Sequence, residues 1–323
     1  MMDAGMSGIV PVGRLMLRIL VLTAMTFMIA QVPLAHLFAP PAIPPRAAAD
    51  PGERELKALA AAWPGLIDEV RPVDGEWQVR IDNAWFSWAH GRLLPAADAA
   101  RWESFAAIPF YTYPLTLPPL PHFDPATAAA LRRRVADEEI HPPRRSEAFM
   151  GTLLGAHNRV ETEARLVKME VAGFTVTVHQ VLKDPLERVS AELSSLRKTD
   201  RDVAAFLRGM AEMNGYNYRF VEGTRSRSLH SYGLAVDIIP KTYGGRATYW
   251  LWAMNRTPDW WTVPYARRWM PPLAVVAAFE RQGFVWGGKW LFFDTMHFEY
   301  RPEILLMAHA ERTPAAVAEM PES

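Results

Sequence analysis

Two short segments constrain this 323-residue chain more than anything else in it. The first reads Ser228-Leu-His230-Ser-Tyr-Gly233-Leu-Ala235-Val-Asp237-Ile, and the second Asp294-Thr-Met-His297-Phe-Glu299. Gly233 lies between His230 and Asp237, where a residue without a Cβ lets the chain turn sharply. Residues 234–239 then alternate as a strand. Asp237 shares a face there with Ala235 and Ile239, a setting in which a carboxylate is costly unless it is paired or binds metal. Residues 296–300 read as a second strand, with His297 and Glu299 on one face. His230, Asp237 and His297 can therefore converge on one point. Three protein donors are what a catalytic zinc site uses when its fourth position stays open to water. Asp294, at the entry to the second strand, is placed to act as general base toward that water. Glu299 fits a role outside the ligand set, orienting a ligand or walling the pocket. An arginine is also expected at such a site for a substrate carboxylate or an oxyanion, and Arg225 and Arg227 are the nearest candidates. The Ser228 hydroxyl can touch substrate or cap the turn.

Composition narrows the chemistry. The chain has no cysteine, which excludes disulfides, thiolate zinc sites and thiol nucleophiles and leaves His, Asp and Glu as donors. Lys plus Arg (35) cancels Asp plus Glu (35), so there is no basic footprint for nucleic acid.

Arg14 and Arg18 precede an apolar run from Ile19 to Ala30, the pattern of a secretory signal. Residues 1–32 are read as a signal peptide or membrane anchor, with residues 15–32 as the tether in the second case. Residues 33–52 form a proline-rich linker. Residues 53–121 form a small accessory region: a helix, then a hairpin in which Trp77, Val79 and Ile81 alternate and Asp82-Asn83 turns into Ala84–Trp88. Its aromatic residues (Trp77, Trp85, Phe86, Trp88) suit a small core better than a glycan-stacking surface. A second proline-rich stretch, 109–121, reads as a strap or linker. Residues 122–165 are a helical connector, opened by an Asp124-Pro125 cap and running helically to Glu139. The main domain is 166–308. It holds a strand over Phe174–Val178, a helix from Asp184-Pro185, and another from Asp200 through Met210 and Met213 to Gly215. Tyr216, Tyr218 and Phe220 alternate as a further strand. Tyr249-Trp250 and Trp260-Trp261 are expected to line a substrate cleft, and residues 309–323 to be a disordered tail.

The two opening segments resemble the M15 family of zinc D,D-carboxypeptidases and related L,D- and D,D-endopeptidases. The family pattern is Ser-x-His-x-x-Gly-x-(Ala/Ser)-x-Asp followed by Glu/Asp-x-x-His. Ser228, His230, Gly233, Ala235 and Asp237 match the first part, and Asp294 and His297 the second. Asp in the base position, the His-Phe-Glu run and Gly287-Gly288-Lys289-Trp290 are similar to the endopeptidase-like subgroup, subfamily C of that family. In the family an arginine in a Gly-Tyr-Arg context grips substrate. Gly223-Thr224-Arg225 stands there, only two residues before Ser228, where the family leaves a longer stretch.

The resemblance implies an α+β fold whose small antiparallel sheet, with flanking helices, carries a mononuclear zinc site, plus the accessory N-terminal region. It implies hydrolysis of peptidoglycan stem peptides, either at L-Ala–D-Glu or by removal of a terminal D-Ala. Export to the periplasm or cell envelope, with or without an inner-membrane anchor, fits that substrate. A zinc-containing module that binds peptidoglycan or regulates without turnover is the alternative, and an intact Asp294 argues against it.

Overall fold

The computed structural model describes residues 52–106, 110–136, 144–220 and 226–312. The expected leader and nearly all of the linker, the helix end expected at Glu139, Arg225, and residues 313–323 lie outside the described residues. No described helix is long and apolar enough to cross a membrane.

Helix α1 (Glu53–Ala62) leads into an antiparallel meander of β1 (Glu69–Val73), β2 (Glu76–Ile81), β3 (Ala84–Ala89) and β4 (Arg92–Pro95), in that order. The expected hairpin is β2–β3, with Ile81 opposite Ala84 across Asp82-Asn83. Alternation along β2 buries Trp77, Val79 and Ile81. Phe86 is buried as well, and the Arg71 guanidinium lies 3.8 Å over the Trp85 ring. Trp77 and Phe86 belong to the packed core and Trp88 packs against it, whereas Trp85 is half-buried outside it. β1 carries Pro72, which a strand tolerates at a sheet edge because its missing N–H faces no partner.

From Phe110 to Asp124 the chain has no regular structure, yet it is tied down along its length. Tyr113 is 1% exposed. Its hydroxyl donates to Glu280 and accepts from the Trp286 N–H at 2.9 Å. Lys289 Nζ donates to the Leu115 carbonyl at 3.1 Å and the Tyr265 hydroxyl to that of Pro118 at 2.8 Å. The segment is a strap across the C-terminal half.

Asp124 then caps α2 (Pro125–Ala136), its Oδ1 accepting from the Ala126 and Thr127 N–H groups. Short helices α3 (Ala148–Leu154) and α4 (Arg159–Glu163) follow, then the ribbon β5 (Leu166–Val171) and β6 (Phe174–His179). Helices α5 (Lys183–Thr199) and α6 (Arg201–Gly209) precede β7 (Met210–Asn214). The remaining elements are β8 (Ala235–Pro240), α7 (Trp250–Met254), α8 (Leu273–Glu280), β9 (Phe284–Trp286), β10 (His297–Tyr300) and α9 (Pro302–Arg312). The main sheet has the order β7-β8-β10-β9, every pair antiparallel. The fold is α+β with small antiparallel sheets, as expected.

Three local readings change. The helix from Asp200 ends at Gly209, and Met210 and Met213 belong to β7. A register shift between Met210 and Glu212 lets both methionines face the core, although they stand at helical spacing. Tyr216, Tyr218 and Phe220 form no strand; among the described residues the ladder contact there is an isolated bridge from Phe220 to Arg227. α9 runs past Ala308 to Arg312, into the segment expected as tail.

One apolar core runs through both halves, joining Leu56, Leu59, Trp63 and Phe86 to Phe149, Val236, Phe279 and Phe298. Trp63 meets Tyr300 edge-on at 5.4 Å between ring centres, and Phe86 meets Phe149 at 5.5 Å.

His179 is a buried structural residue of this core, 3% exposed. Its Nε2–H donates to the Leu154 carbonyl at 3.1 Å, and Nδ1 accepts from the Val181 N–H. Burial, first of all, lowers its pKa to about 4. The unfolded chain, with an ordinary value near 6.5, therefore binds more protons than the folded one between those two pH values. His179 thus contributes stability that is fully present above about pH 6.5 and is lost as pH falls toward about 4, at most about 3 kcal/mol. Urea unfolding at neutral and acid pH should show a smaller acid loss for His179→Gln than for wild type.

Candidate metal centre and active site

Each side chain of the centre is set by its own element. Ser228 caps the short 3-10 turn Leu229–Tyr232, its Oγ accepting from the His230 N–H at 3.3 Å. This is the turn-capping alternative for the Ser228 hydroxyl. Gly233 ends the turn at φ +70°, and a Cβ there would stand 2.5 Å from the His179 backbone nitrogen. Only glycine fits both the conformation and the approach. The chain then enters β8, where Asp237 pairs with His297 of β10 on one side and Asn214 of β7 on the other.

His230, Asp237 and His297 come together, each offering a donor atom within 4.8 Å of the others, all three buried. His230 Nε2 lies 3.3 Å from His297 Nδ1 and 3.3 Å from Asp237 Oδ2, and His297 Nδ1 lies 3.0 Å from Asp237 Oδ1. The outward nitrogens are both engaged. His230 Nδ1 donates to the Gly215 carbonyl at 2.6 Å, and His297 Nε2 donates to Glu299 Oε2 at 3.2 Å. A carbonyl only accepts, so the proton of His230 sits on Nδ1 and the lone pair of Nε2 faces inward. Gly215 is itself held tightly, since a Cβ on it would lie 2.2 Å from the Thr177 carbonyl oxygen.

The electrostatics call for positive charge at the centre. Burial alone would raise the Asp237 carboxyl, but His230 and His297 against it hold it well below the usual carboxylate range. Burial would lower His297, and its bonds to Asp237 and Glu299 outweigh that and lift it to about 10. Two inward imidazole nitrogens and a carboxylate at these separations repel unless a proton or a cation lies among them. The donor set, two nitrogens and a carboxylate with an open side, fits a small divalent cation.

Asp294 stands at the turn into β10, with its Oδ1 accepting from the Met296 N–H at 3.3 Å. Burial and then the nearby Asp237 charge push its pKa up to about 6. Glu299 is 1% exposed and lies 3.6 Å from the Arg301 guanidinium. The strap also reaches the centre: Trp290 packs its ring 5.7 Å from that of His297, and its Nε1–H donates to Tyr111 at 3.0 Å.

Of the two expected arginines, only Arg227 is among the described residues. Arg225 lies outside the described residues. Arg227 turns inward, donating to the Ala156 carbonyl at 2.6 Å and to Thr162 Oγ1 and the Ser231 carbonyl at 2.9 Å each. It is 3% exposed and its guanidinium lies 3.8 Å over the Tyr232 ring. Arg219, not among the expected residues, lies close to His230. It lines a cavity of about 210 Å³ with Asn214, Gly215, Tyr216, Asn217, His230 and Asp237. Its backbone is clamped beside His230, its N–H donating to Ser231 Oγ at 2.7 Å and its carbonyl accepting from that hydroxyl and from the Ser228 N–H. Reading 216–220 as a strand hid Arg219. The signal was its place after Gly215-Tyr216, nine positions before Ser228. Trp250, Trp260 and Trp261 do not line the cleft; they are at most 4% exposed in a second core with Phe293.

Fold and centre together define a class: an α+β protein whose antiparallel sheet carries a buried His-Asp-His group that could hold a cation, beside a carboxyl group whose pKa is raised. Residues 222–300 match the family model of D-alanyl-D-alanine carboxypeptidase among the M15 peptidases. That match spans the segment that carries His230, Asp237 and His297. Residues 55–110 match a domain of unknown function (DUF8518). No curated protein and no solved structure matches the chain.

Glu299 offers a test of the centre. It fixes the orientation of His297 and supplies negative charge behind it, so Glu299→Gln should weaken divalent-metal affinity by about 10- to 100-fold. Competition with a chromophoric chelator measures this, and an unchanged affinity would remove Glu299 from the account.

Proposed function

We propose that the chain is a zinc peptidase that hydrolyses peptidoglycan stem peptides, exported to the envelope where that substrate lies. The observation that carries this reading is the convergence of His230 Nε2, His297 Nδ1 and the Asp237 carboxylate, with both outward nitrogens already bonded. These three residues would hold zinc, which when bound lowers the pKa of a water toward neutrality and polarises a carbonyl. Asp294 takes the proton of the attacking water and returns it to the leaving amine. Its raised pKa suits both halves of that task. Arg219, sharing the cavity with His230 and Asp237, grips a substrate carboxylate, the role first sought in Arg225 and Arg227. A grip of that kind and the carboxypeptidase description of the matched family favour removal of a terminal D-Ala; the endopeptidase-subgroup features of the sequence favour cleavage at L-Ala–D-Glu.

Mass spectrometry of muropeptides, after purified peptidoglycan is incubated with the chain with and without a chelator, distinguishes the outcomes. Chelator-sensitive loss of one D-Ala establishes the carboxypeptidase, and cut stems the endopeptidase. Unchanged muropeptides despite bound zinc would point to the binding module.

A further inference from the structure

Tyr243 lies just beyond the end of β8, in a turn closed by the Arg246 N–H donating to its carbonyl at 3.1 Å. The strand register sets where this is. Asn214 pairs with Asp237, so the Gly215–Arg219 cavity opens toward the start of β8. The Ile238 N–H donates to the Met296 carbonyl, so Asp294 and the turn into β10 lie toward its end, the end from which Tyr243 emerges. Asp237 lies between. The Tyr243 ring is braced edge-on against Trp269, 6.0 Å between centres at 89°. Its hydroxyl donates to Met296 Sδ at 3.0 Å, and Met296 in turn is bonded through its N–H to Asp294. The charges that reach the phenol are those of Asp294, Asp237 and Glu212. Burial and these carboxylates raise its pKa, so it remains an O–H donor.

A thioether is a weak acceptor. A rigidly braced, half-buried phenol that spends its proton on sulfur, beside a base and a cation site, is held ready for a stronger acceptor. Within the peptidase reading, which this assignment rests on, that acceptor is the oxygen that gains charge when water adds to the scissile carbonyl. We propose that Tyr243 is a further catalytic residue, its hydroxyl leaving Met296 Sδ to donate a hydrogen bond to this oxyanion. No bond to Tyr243 is made or broken; the proton of the attacking water still goes to Asp294. With Arg219 at one end of β8 and Tyr243 at the other, the stem peptide lies along the strand with its scissile carbonyl over Asp237.

Tyr243→Phe in the full zinc-loaded chain tests this, since it keeps the ring and its contact with Trp269. The expected result is a fall in kcat of about 100-fold with KM unchanged. A dipeptide analogue with a phosphinate in place of the scissile amide, which presents the tetrahedral oxygens without reaction, should lose affinity by a similar factor. Zinc content and melting temperature should stay at wild-type values. Unchanged kcat and unchanged analogue affinity would overturn the assignment while leaving the peptidase intact, and loss of zinc or of thermal stability would make Tyr243 a structural residue. A wild-type chain that holds zinc yet neither cleaves stems nor binds the phosphinate would refute the peptidase reading itself, and the assignment with it.

Discussion

On the proposed peptidase reading, Asp294→Asn should lower kcat by about 10³-fold and leave bound zinc in place, because the amide keeps the size of the side chain but cannot take a proton. The wild-type pH profile should carry the same residue's signature. Burial, then Asp237, raises the Asp294 pKa to about 6. A base works only when deprotonated, so kcat/KM falls as pH drops through that region. A bound divalent cation favours the carboxylate and moves the acid limb lower, never higher. Stopped assays across pH, with metal content measured on the same samples, check both statements. Full activity in the asparagine variant would remove Asp294 from the chemistry and leave its role as an acid that orients the turn into β10.

A chain that begins at residue 122 should fail to fold to a stable protein. The contacts of the accessory region show that it is no separable appendage. Leu56, Leu59, Trp63 and Tyr113 are each at most 4% exposed, and Trp63 and Tyr113 bury themselves against Tyr300, Trp286 and Glu280 of the C-terminal half. Burial of side chains of this size is worth about 2–3 kcal/mol each. Removing them leaves their apolar partner surface in the C-terminal half exposed, a large cost against the stability of an ordinary domain, about 5–15 kcal/mol. The strap also holds Trp290 against His297. Circular dichroism and thermal melting of the truncated chain read the result directly. A cooperative transition near that of the full chain, with zinc bound, would show that the M15 segment folds alone.

The centre was legible because its information is local. Gly233 announces the turn, two alternating strands place Asp237 and His297, and the residue types name the chemistry. Glu299 was legible for the same reason, two positions from His297 on one strand face. Arg219 was not. Its position depends on the Ser231 hydroxyl gripping its backbone from twelve residues away, a contact no spacing rule reports. Met210 and Met213 misled because a register shift in β7 gives a strand the spacing of a helix. The prolines of the strap correctly excluded regular structure, but proline spacing says nothing about Tyr113 docking on the Trp286 backbone, a bond between residues 173 apart. Tyr243 carries no motif at all. Its meaning arises only when β8 and the turn into β10 are side by side.

On the proposed reading, His230, Asp237 and His297 hold one zinc ion. Zinc-edge X-ray absorption of the purified, zinc-loaded chain, with metal stoichiometry, tests it most directly. The account predicts one zinc per chain, with two imidazole nitrogens and carboxylate or water oxygens at about 2.0–2.2 Å, and loss of that zinc in His297→Ala. A chain that retains no zinc, or a His297→Ala variant that keeps it with the same two-imidazole spectrum, would contradict it.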